Sequence, residues 1–127
     1  RKTCEIRIYP DASGDSRKSV NASTTDLALL RDAGFSVHAP KANPPVKDRV
    51  NAMNAMFCNA KGERRYLVNT DTCPSYADSL EQQPWADNGE PDKTGDLDHP
   101  NDAGGYFIHY EYPAIKPATT TKLRMNF

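Results

Sequence analysis

The sequence predicts an α/β fold in which helices flank a sheet. Short segments that alternate polar with β-branched or aromatic residues indicate strands, and longer segments with apolar residues at helical spacing indicate helices. These segments follow one another in the order β-α-β-α-β-α-α, which favours a layered α/β architecture. The length of 127 residues suits a single domain.

The first strand and the first helix have clear boundaries. Residues 5–9 alternate polar and apolar side chains and end at Pro10, and residues 11–15 follow as a tight polar turn. Residues 24–33 predict a helix, because the segment opens with the spacing of a capping box and is followed by Gly34. The polar turn is therefore expected at the carboxyl end of the first strand.

The middle of the chain predicts two further strands with a helix between them. Residues 35–38 and 65–68 are short runs that contain β-branched and aromatic side chains. Between them, residues 46–58 predict a helix, because apolar side chains recur every three or four residues. This repeat predicts a core-facing stripe formed by Val46, Val50, Met53 and Phe57.

Two helices separated by a polar loop complete the predicted domain. Pro74 suits the first turn of a helix that ends near residue 83, with Tyr76 and Leu80 facing inward. Residues 84–97 predict a loop, because Gly, Pro and polar residues dominate there.

The last helix is expected to hold Pro100 in its first turn and to stop at Pro113. Its predicted core-facing residues are Ala103, Tyr106, Phe107 and Tyr110. Residues 1–113 then form the domain, and residues 114–127 predict a flexible tail.

Composition excludes several classes of function. Sixteen Lys and Arg residues against seventeen Asp and Glu residues give a net charge of −1, so no global attraction to nucleic acid or membrane follows. Three widely spaced cysteines without a C-x-x-C pair predict reduced thiols. No apolar run suits a membrane span, so no membrane partner is expected, and motifs for ATP hydrolysis, dinucleotide binding or serine-hydrolase chemistry are lacking.

Asp11 is the first candidate functional residue. It lies just past the first predicted strand, where open α/β sheets place their ligand-binding residues. Ser13 and Gly14 would allow the turn to approach a phosphate group closely. An ordinary Asp-containing turn explains the same residues, and position alone favours that simpler interpretation.

A second candidate cluster lies at the start of the last helix. His99 and Asp102 are three positions apart, so they share one helical face, and Asp98 precedes them. Carboxylates with one imidazole suit a hard divalent ion such as Mg²⁺ or Mn²⁺. Helix capping by Asp98 and a dipole interaction of Asp102 would explain the carboxylates equally well, but they leave His99 without a role.

Basic residues near these segments have two interpretations each. Lys93 precedes the last helix and could hold a phosphate oxygen or a leaving group, although a solvated loop charge is the simpler interpretation. Lys61, Arg64 and Arg65 could grip a phosphate backbone or form a solvated hairpin edge.

Three segments, in this order, are similar to those of one protein family. They are Ile8-Tyr9-Pro10-Asp11-Ala12-Ser13-Gly14, the segment NPPVKDRVNAMN at 43–54, and Asp98-His99-Pro100-Asn101-Asp102-Ala103 followed by Tyr106. Over about residues 5–113, the chain resembles the C-terminal nuclease domain of the large terminase subunit of tailed bacteriophages and prophages.

The resemblance implies an RNase H-like fold, with a mixed sheet flanked by helices. It also implies a two-metal endonuclease that uses Mg²⁺ or Mn²⁺ to cut concatemeric double-stranded DNA during packaging. Asp11 matches the second acidic position of the family, and His99 with Asp102 matches the third. The predicted metal ligands are Asp11, Asp98, His99 and Asp102, the predicted catalytic residues are Asp11, Asp102 and Lys93, and the predicted DNA contacts are Lys61, Arg64 and Arg65.

The chain departs from the family at its first acidic position. That residue lies on an upstream strand in the family, whereas here only Glu5 precedes Asp11 as a carboxylate. Glu5 has the spacing of a residue on a strand face, not of a ligand at a strand end. We therefore expect a sheet that is incomplete at its N-terminus and a site that lacks its first metal ligand, which leaves cleavage by this chain alone open.

The resemblance further implies a setting and a set of partners. These are the terminase ATPase domain in cis, the small terminase subunit and the portal protein, in the cytoplasm of the bacterial host. Two other classes of function stay open: another RNase H-like nuclease such as a resolvase, and a non-catalytic motor-docking module or decayed prophage remnant. A preference for branched DNA would favour the first, and portal binding without metal affinity would favour the second.

Overall fold

The computed structural model describes residues 4–15 and 25–114, in which two short strands and four helices surround one small core. The strands are β1, Arg7–Ile8, and β2, Ser36–Val37. A single 3-10 turn at Ala12–Asp15 follows β1. The helices are α1, Asp26–Asp32; α2, Val46–Phe57; α3, Pro74–Gln82; and α4, Asp98–Glu111.

The two strands form a parallel pair, with Arg7 opposite Ser36 and Ile8 opposite Val37. Parallel strands need a crossover connection, and α1 lies within it. Because the strands run the same way, the segments that follow them emerge at the same edge of the sheet. The predicted α/β class is confirmed by these elements, whereas the described residues contain only this parallel pair and not a mixed sheet.

The predicted strand at residues 65–68 is wrong, because this segment is irregular. The backbone N–H groups of Arg65 and Tyr66 both donate to the carbonyl oxygen of Met56, at 2.9 and 3.0 Å. These hydrogen bonds supply donors to a carbonyl group in the last turn of α2, which has no partner within the helix. The two N–H groups therefore do not pair with a strand. Leu67, one of the apolar residues that suggested a strand, is 80% exposed and does not pack in the core.

Helix α1 ends at the signal that the sequence predicts, but it begins at Asp26, two residues later than the predicted helix at 24–33. The Thr25 side chain accepts a hydrogen bond from the backbone N–H of Ala28 at 3.1 Å and so caps the helix. The chain reverses after Ala33 at Gly34, whose φ is +89°, a conformation that favours glycine. Residues 23 and 24, where the predicted capping box begins, lie outside the described part of the chain.

Helices α2 and α4 form the core of the domain. Ala52, Met53 and Met56 of α2 pack with Ile108 of α4, and partly buried side chains surround them: Phe57, Tyr66, Leu80 and Phe107. Helix α3 packs beside α4 and contributes the buried Ser79. The predicted inward pair on α3, Tyr76 and Leu80, is partly buried.

The core-facing stripe of α2 differs from the predicted one. Of the predicted residues only Met53 is buried, and the buried stripe is Arg49, Ala52, Met53 and Met56. The stripe differs because α4 packs on the side of α2 that carries Arg49, Met53 and Met56. Arg49 can lie on that side because it pairs with Asp102, a contact that hydropathy does not reveal.

The buried face of α4 also differs from the predicted one. Its buried residues are Asp98, Gly105 and Ile108. Of the predicted residues, Tyr106 and Phe107 are partly buried, whereas Ala103 is exposed and Tyr110 is 44% exposed. Gly105 lets α4 approach α2 closely, so the contact face centres on a residue without a side chain.

The remaining boundaries agree closely with the sequence. Pro74 opens α3, and α4 begins two residues before Pro100 and ends at Glu111. The three cysteines are free and exposed. Every helix in the described segments is too short or too polar to cross a bilayer. Of the predicted tail at 114–127, residues 115–127 lie outside the described residues.

Candidate functional site

An open cleft lies between the carboxyl end of β1 and the first turns of α4. It is lined by Tyr9, Pro10, Asp11, His99, Asp102, Ala103 and Tyr106. The fold thus brings together three of the residues that the sequence singles out, Asp11, His99 and Asp102, from nearly opposite ends of the described chain.

Asp11 is held by donors from three parts of the chain. Its Oδ1 accepts hydrogen bonds from the backbone N–H of Ser13 and from Asn43 Nδ2, both at 2.7 Å. Its Oδ2 accepts one from Tyr106 Oη at 2.9 Å. The contact with Ser13 is that of an ordinary Asx turn, as the simpler interpretation expects. The contacts with Asn43 and Tyr106 are long-range and give Asp11 a tertiary role as well.

These hydrogen bonds fix the charge of Asp11. Partial burial by itself would raise the pKa of the carboxyl group, but the donors Asn43, Ser13 and Tyr106 outweigh it and lower that pKa to about 2. Burial and the bond to Asp11 together raise the pKa of Tyr106 to about 12. At neutral pH a carboxylate therefore faces a protonated phenol.

Asn43 connects the segments that follow the two strands. It donates to Asp11 through Nδ2, and its Oδ1 accepts the backbone N–H of Ala12 at 2.8 Å. Both segments emerge at the carboxyl edge of the parallel pair, which is where α/β sheets place ligand-binding residues. Asn43 is not among the predicted site residues, although its position after β2 parallels that of Asp11 after β1.

Asp102 is paired with a buried arginine. Arg49 Nη2 lies 2.6 Å from Asp102 Oδ1, with side chains that are 5% and 23% exposed respectively. The guanidinium of Arg49 also lies over the ring of Tyr106, with its Cζ 4.8 Å from the ring centroid. A Cβ atom on Gly105 would lie 2.8 Å from Cγ and Cδ of Arg49, so the glycine makes room for this side chain. Arg49 is not among the predicted site residues. The feature of the sequence that marks it is a charged residue at helical spacing from Met53 and Met56.

The other two residues of the predicted metal cluster differ in their surroundings. His99 lines the cleft and is mostly exposed, with Nε2 3.8 Å from Asp96 Oδ1. Asp98 is buried and does not belong to the cleft lining, and its Oδ1 has no hydrogen-bond partner among the described residues. Leu97 occupies the N-cap position of α4 without a side-chain cap, so the alternative that Asp98 caps the helix is wrong.

The predicted basic residues lie outside the cleft lining. Lys93 is exposed in the loop before α4. Lys61, Arg64 and Arg65 are exposed in the segment that follows α2, and Arg64 borders a separate cavity beside Phe57 and Leu80. Roughly two and a half turns of α2 separate Arg49 from that segment. Because Arg49 is buried beside the cleft, a duplex that reached from the cleft to this segment would have to extend along α2.

The cleft offers part of a divalent-metal site. Carboxylate oxygens are the donors that Mg²⁺ and Mn²⁺ prefer, and Asp11 and Asp102 supply them. Within residues 4–15 and 25–114, however, no three His, Cys, Asp or Glu side chains are grouped to hold an ion. Both oxygens of Asp11 already accept hydrogen bonds, and Asp102 is paired with Arg49. The donor chemistry fits a hard cation, and the described ligand set is incomplete.

Comparison with known proteins identifies the family. A family model described as the terminase RNaseH-like domain matches residues 2–111. No curated protein and no solved structure matches the chain significantly. The matched range includes β1, both carboxylates of the cleft and all four helices, and it confirms the resemblance to the terminase nuclease domain. The chain belongs to the terminase RNaseH-like domain family.

Proposed function

We propose that this domain is the metal-dependent endonuclease of a viral DNA-packaging terminase, which hydrolyses phosphodiester bonds in concatemeric double-stranded DNA. The observation that supports this most directly is the convergence of Asp11 and Asp102 on one open cleft. Family membership supplies the nuclease class, and the cleft supplies the carboxylates that such chemistry requires.

Asp11, Asp102 and His99 would hold Mg²⁺ or Mn²⁺ together with the family's first acidic ligand, which the resemblance assigns to an upstream strand. When bound, such ions stabilise the charge that develops on a phosphate during hydrolysis. The chain keeps Asp11 ionised through its three donors and keeps Tyr106 protonated. Arg49 holds Asp102 at the other side of the cleft.

The basic residues would contact the substrate. We assign phosphate contacts to Lys61, Arg64 and Arg65, which would position the duplex without reading its sequence. Lys93 would offset charge on the phosphate from the loop before α4. Within the motor, the partners would be the terminase ATPase domain in cis, the small subunit and the portal protein, in the cytoplasm of the bacterial host.

A second candidate is a non-catalytic docking module of the same motor. The specific observation that favours it is the incomplete ligand set, with no grouping of three metal-binding side chains in the described part of the chain. The ion pair with Arg49 also gives Asp102 a structural partner within the domain. Binding of a portal protein without affinity for divalent metal would support this alternative.

A cleavage assay separates the two candidates. The parent chain in this assay is the domain extended upstream by the family's first acidic strand, and linear duplex DNA is incubated with it or with its Asp11→Asn or Asp102→Asn variant, at low salt in Mn²⁺ or Mg²⁺. We expect the parent chain to cut and both variants to lose cutting while they keep the helical circular-dichroism signal. Asp78→Asn, on the exposed side of α3, is the matched control and should cut like the parent. A parent chain that never cuts, or variants that cut at the parent rate, would contradict the proposal.

A further inference from the structure

We infer that Arg49 and Tyr106 act as one positioning unit that links the carboxylate of Asp11 to the carboxylate of Asp102. Arg49 lies on α2, and Tyr106 lies on α4, where it lines the cleft. Its consequence for catalysis rests on the proposed nuclease function. The linkage itself is a property of the chain without metal, so it can be tested separately.

One end of the unit is the hydrogen bond of Tyr106. Its hydroxyl donates to Asp11 Oδ2 at 2.9 Å, while Ser13 and Asn43 hold Oδ1. With both oxygens engaged, the orientation of the carboxylate plane is fixed. Loss of the Tyr106 hydroxyl alone would free Oδ2 and would leave the turn around Ser13 intact.

The other end is the ion pair of Arg49. Its Nη2 lies 2.6 Å from Asp102 Oδ1, and the arginine side chain is only 5% exposed. Because the arginine end of this pair is buried, the pair restrains Asp102 more firmly than a pair between two surface side chains would.

The two ends are joined by a stack. The Arg49 guanidinium lies 4.8 Å above the Tyr106 ring, which is a favourable cation–π geometry. The backbone of Gly105 lies close to the aliphatic part of the Arg49 side chain and so restricts the positions that the side chain can take. Because the guanidinium is planar and carries several donors, it can stack and bind a carboxylate at once, whereas a lysine ammonium cannot do both in the same way.

This arrangement suits a site that must place two carboxylates accurately. Sites of this kind require their groups to lie within roughly 0.5 Å of the productive geometry. Partners that orient ligating side chains typically change metal affinity or activity by about 10–100-fold when they are removed. Arg49 and Tyr106 are therefore positioning residues, and neither is assigned contact with the reacting phosphate.

The linkage is tested by ¹³C NMR of the aspartate carboxyl groups in the full chain, without metal and at pH 7. We expect Arg49→Lys to move the Asp11 resonance, although Arg49 does not bond to Asp11. In a Tyr106→Phe background, which keeps the ring but removes the hydroxyl, the same substitution should move it by less than half as much. Lys47→Arg, on the exposed side of α2, is the control and should move it in neither background.

Tyr106→Phe provides a second measurement that leaves Arg49 unaltered. We expect it to move the Asp102 resonance, because a ring that is no longer tied to Asp11 shifts against the Arg49 guanidinium that holds Asp102. Equal effects of Arg49→Lys in both backgrounds, or an unmoved Asp11 resonance in the parent background, would overturn the linkage. An unmoved Asp102 resonance in Tyr106→Phe would overturn it as well.

Titration with Mn²⁺ separates this inference from the proposed function. We expect Tyr106→Phe to weaken Mn²⁺ affinity about 10-fold or more. Tyr110→Phe, which removes a hydroxyl one turn further along α4, should leave the affinity unchanged. A parent chain that binds no Mn²⁺ would contradict the nuclease proposal, while the NMR result would still decide the linkage.

Discussion

Tyr106 and Asp11 are joined by a hydrogen bond that spans most of the described chain. The Tyr106 hydroxyl lies 2.9 Å from Asp11 Oδ2, between residues that are 95 positions apart. This contact ties α4 to the carboxyl end of β1. The cleft is therefore a product of the tertiary fold, and its carboxylates depend on packing between distant segments.

Removal of the buried guanidinium should lower stability. Arg49→Met keeps much of the aliphatic stem but leaves Asp102 without its partner and Tyr106 without its stacked cation. We expect a loss of about 2 kcal/mol in the free energy of unfolding, below the range for fully buried pairs because Asp102 is partly exposed. Urea denaturation at pH 7 measures it. Lys47→Met is the control, with a change of less than about 0.5 kcal/mol; an equally small change in Arg49→Met would contradict the account.

Gly105→Ala should destabilise the domain, although alanine ordinarily stabilises a helix by about 1 kcal/mol relative to glycine. The added Cβ would lie 2.8 Å from the stem of Arg49 and 3.1 Å from Met53 Sδ. The side chains must shift to relieve this clash, and we expect the free energy of unfolding to fall by about 1–3 kcal/mol. Ala103→Gly, at an exposed position of the same helix, should show the ordinary helix-propensity loss of about 1 kcal/mol. Unchanged or increased stability in Gly105→Ala would show that α2 and α4 are less closely packed than described.

The ionisation of Asp11 should make stability depend on acid pH. Its pKa is about 2 in the folded chain, against roughly 3.9 for an unperturbed aspartate. The stabilisation from this group is complete above the unfolded value and is lost as the pH falls from about 4 to about 2. Urea unfolding between pH 5 and pH 2 should therefore show a shallower decline in Asp11→Asn than in the parent chain. Asp78→Asn should decline like the parent, and an Asp11→Asn curve parallel to the parent curve would contradict this role.

The basic segment after α2 should carry salt-dependent DNA binding. Replacement of Lys61, Arg64 and Arg65 by Gln should weaken binding to duplex DNA of any sequence. Each lost phosphate contact should reduce the slope of log affinity against log salt by about 0.9. Fluorescence anisotropy at several salt concentrations measures the slope. A control set of three exposed cations elsewhere, Arg31, Lys41 and Lys47, should leave it nearly unchanged, and equal effects of the two sets would indicate general charge attraction only.

Local signals in the sequence were sufficient for most helix boundaries. These signals depend on interactions within a few residues of the chain. They are the apolar repeat in 46–58, Pro74 and Gly34, and the structure has helices or turns at all three. The position of Asp11 after a strand could be predicted for the same reason. Its cleft partners could be grouped with it only through the family resemblance.

Long-range contacts account for what the sequence did not reveal. Arg49 reads as a solvated charge until Asp102 and the ring of Tyr106 are brought to it. The buried face of α4 centres on Gly105, which hydropathy does not mark as a core position. The run at 65–68 resembles a strand locally, but its backbone caps α2 instead.

Mn²⁺ titration by calorimetry tests the central claim most directly. The claim is that Asp11 and Asp102 belong to one divalent-metal site of a nuclease domain. The account predicts that the parent chain binds Mn²⁺ and that Asp11→Asn and Asp102→Asn each abolish binding, while Asp78→Asn retains it. Binding that survives either cleft substitution, or a parent chain without measurable affinity, would contradict it.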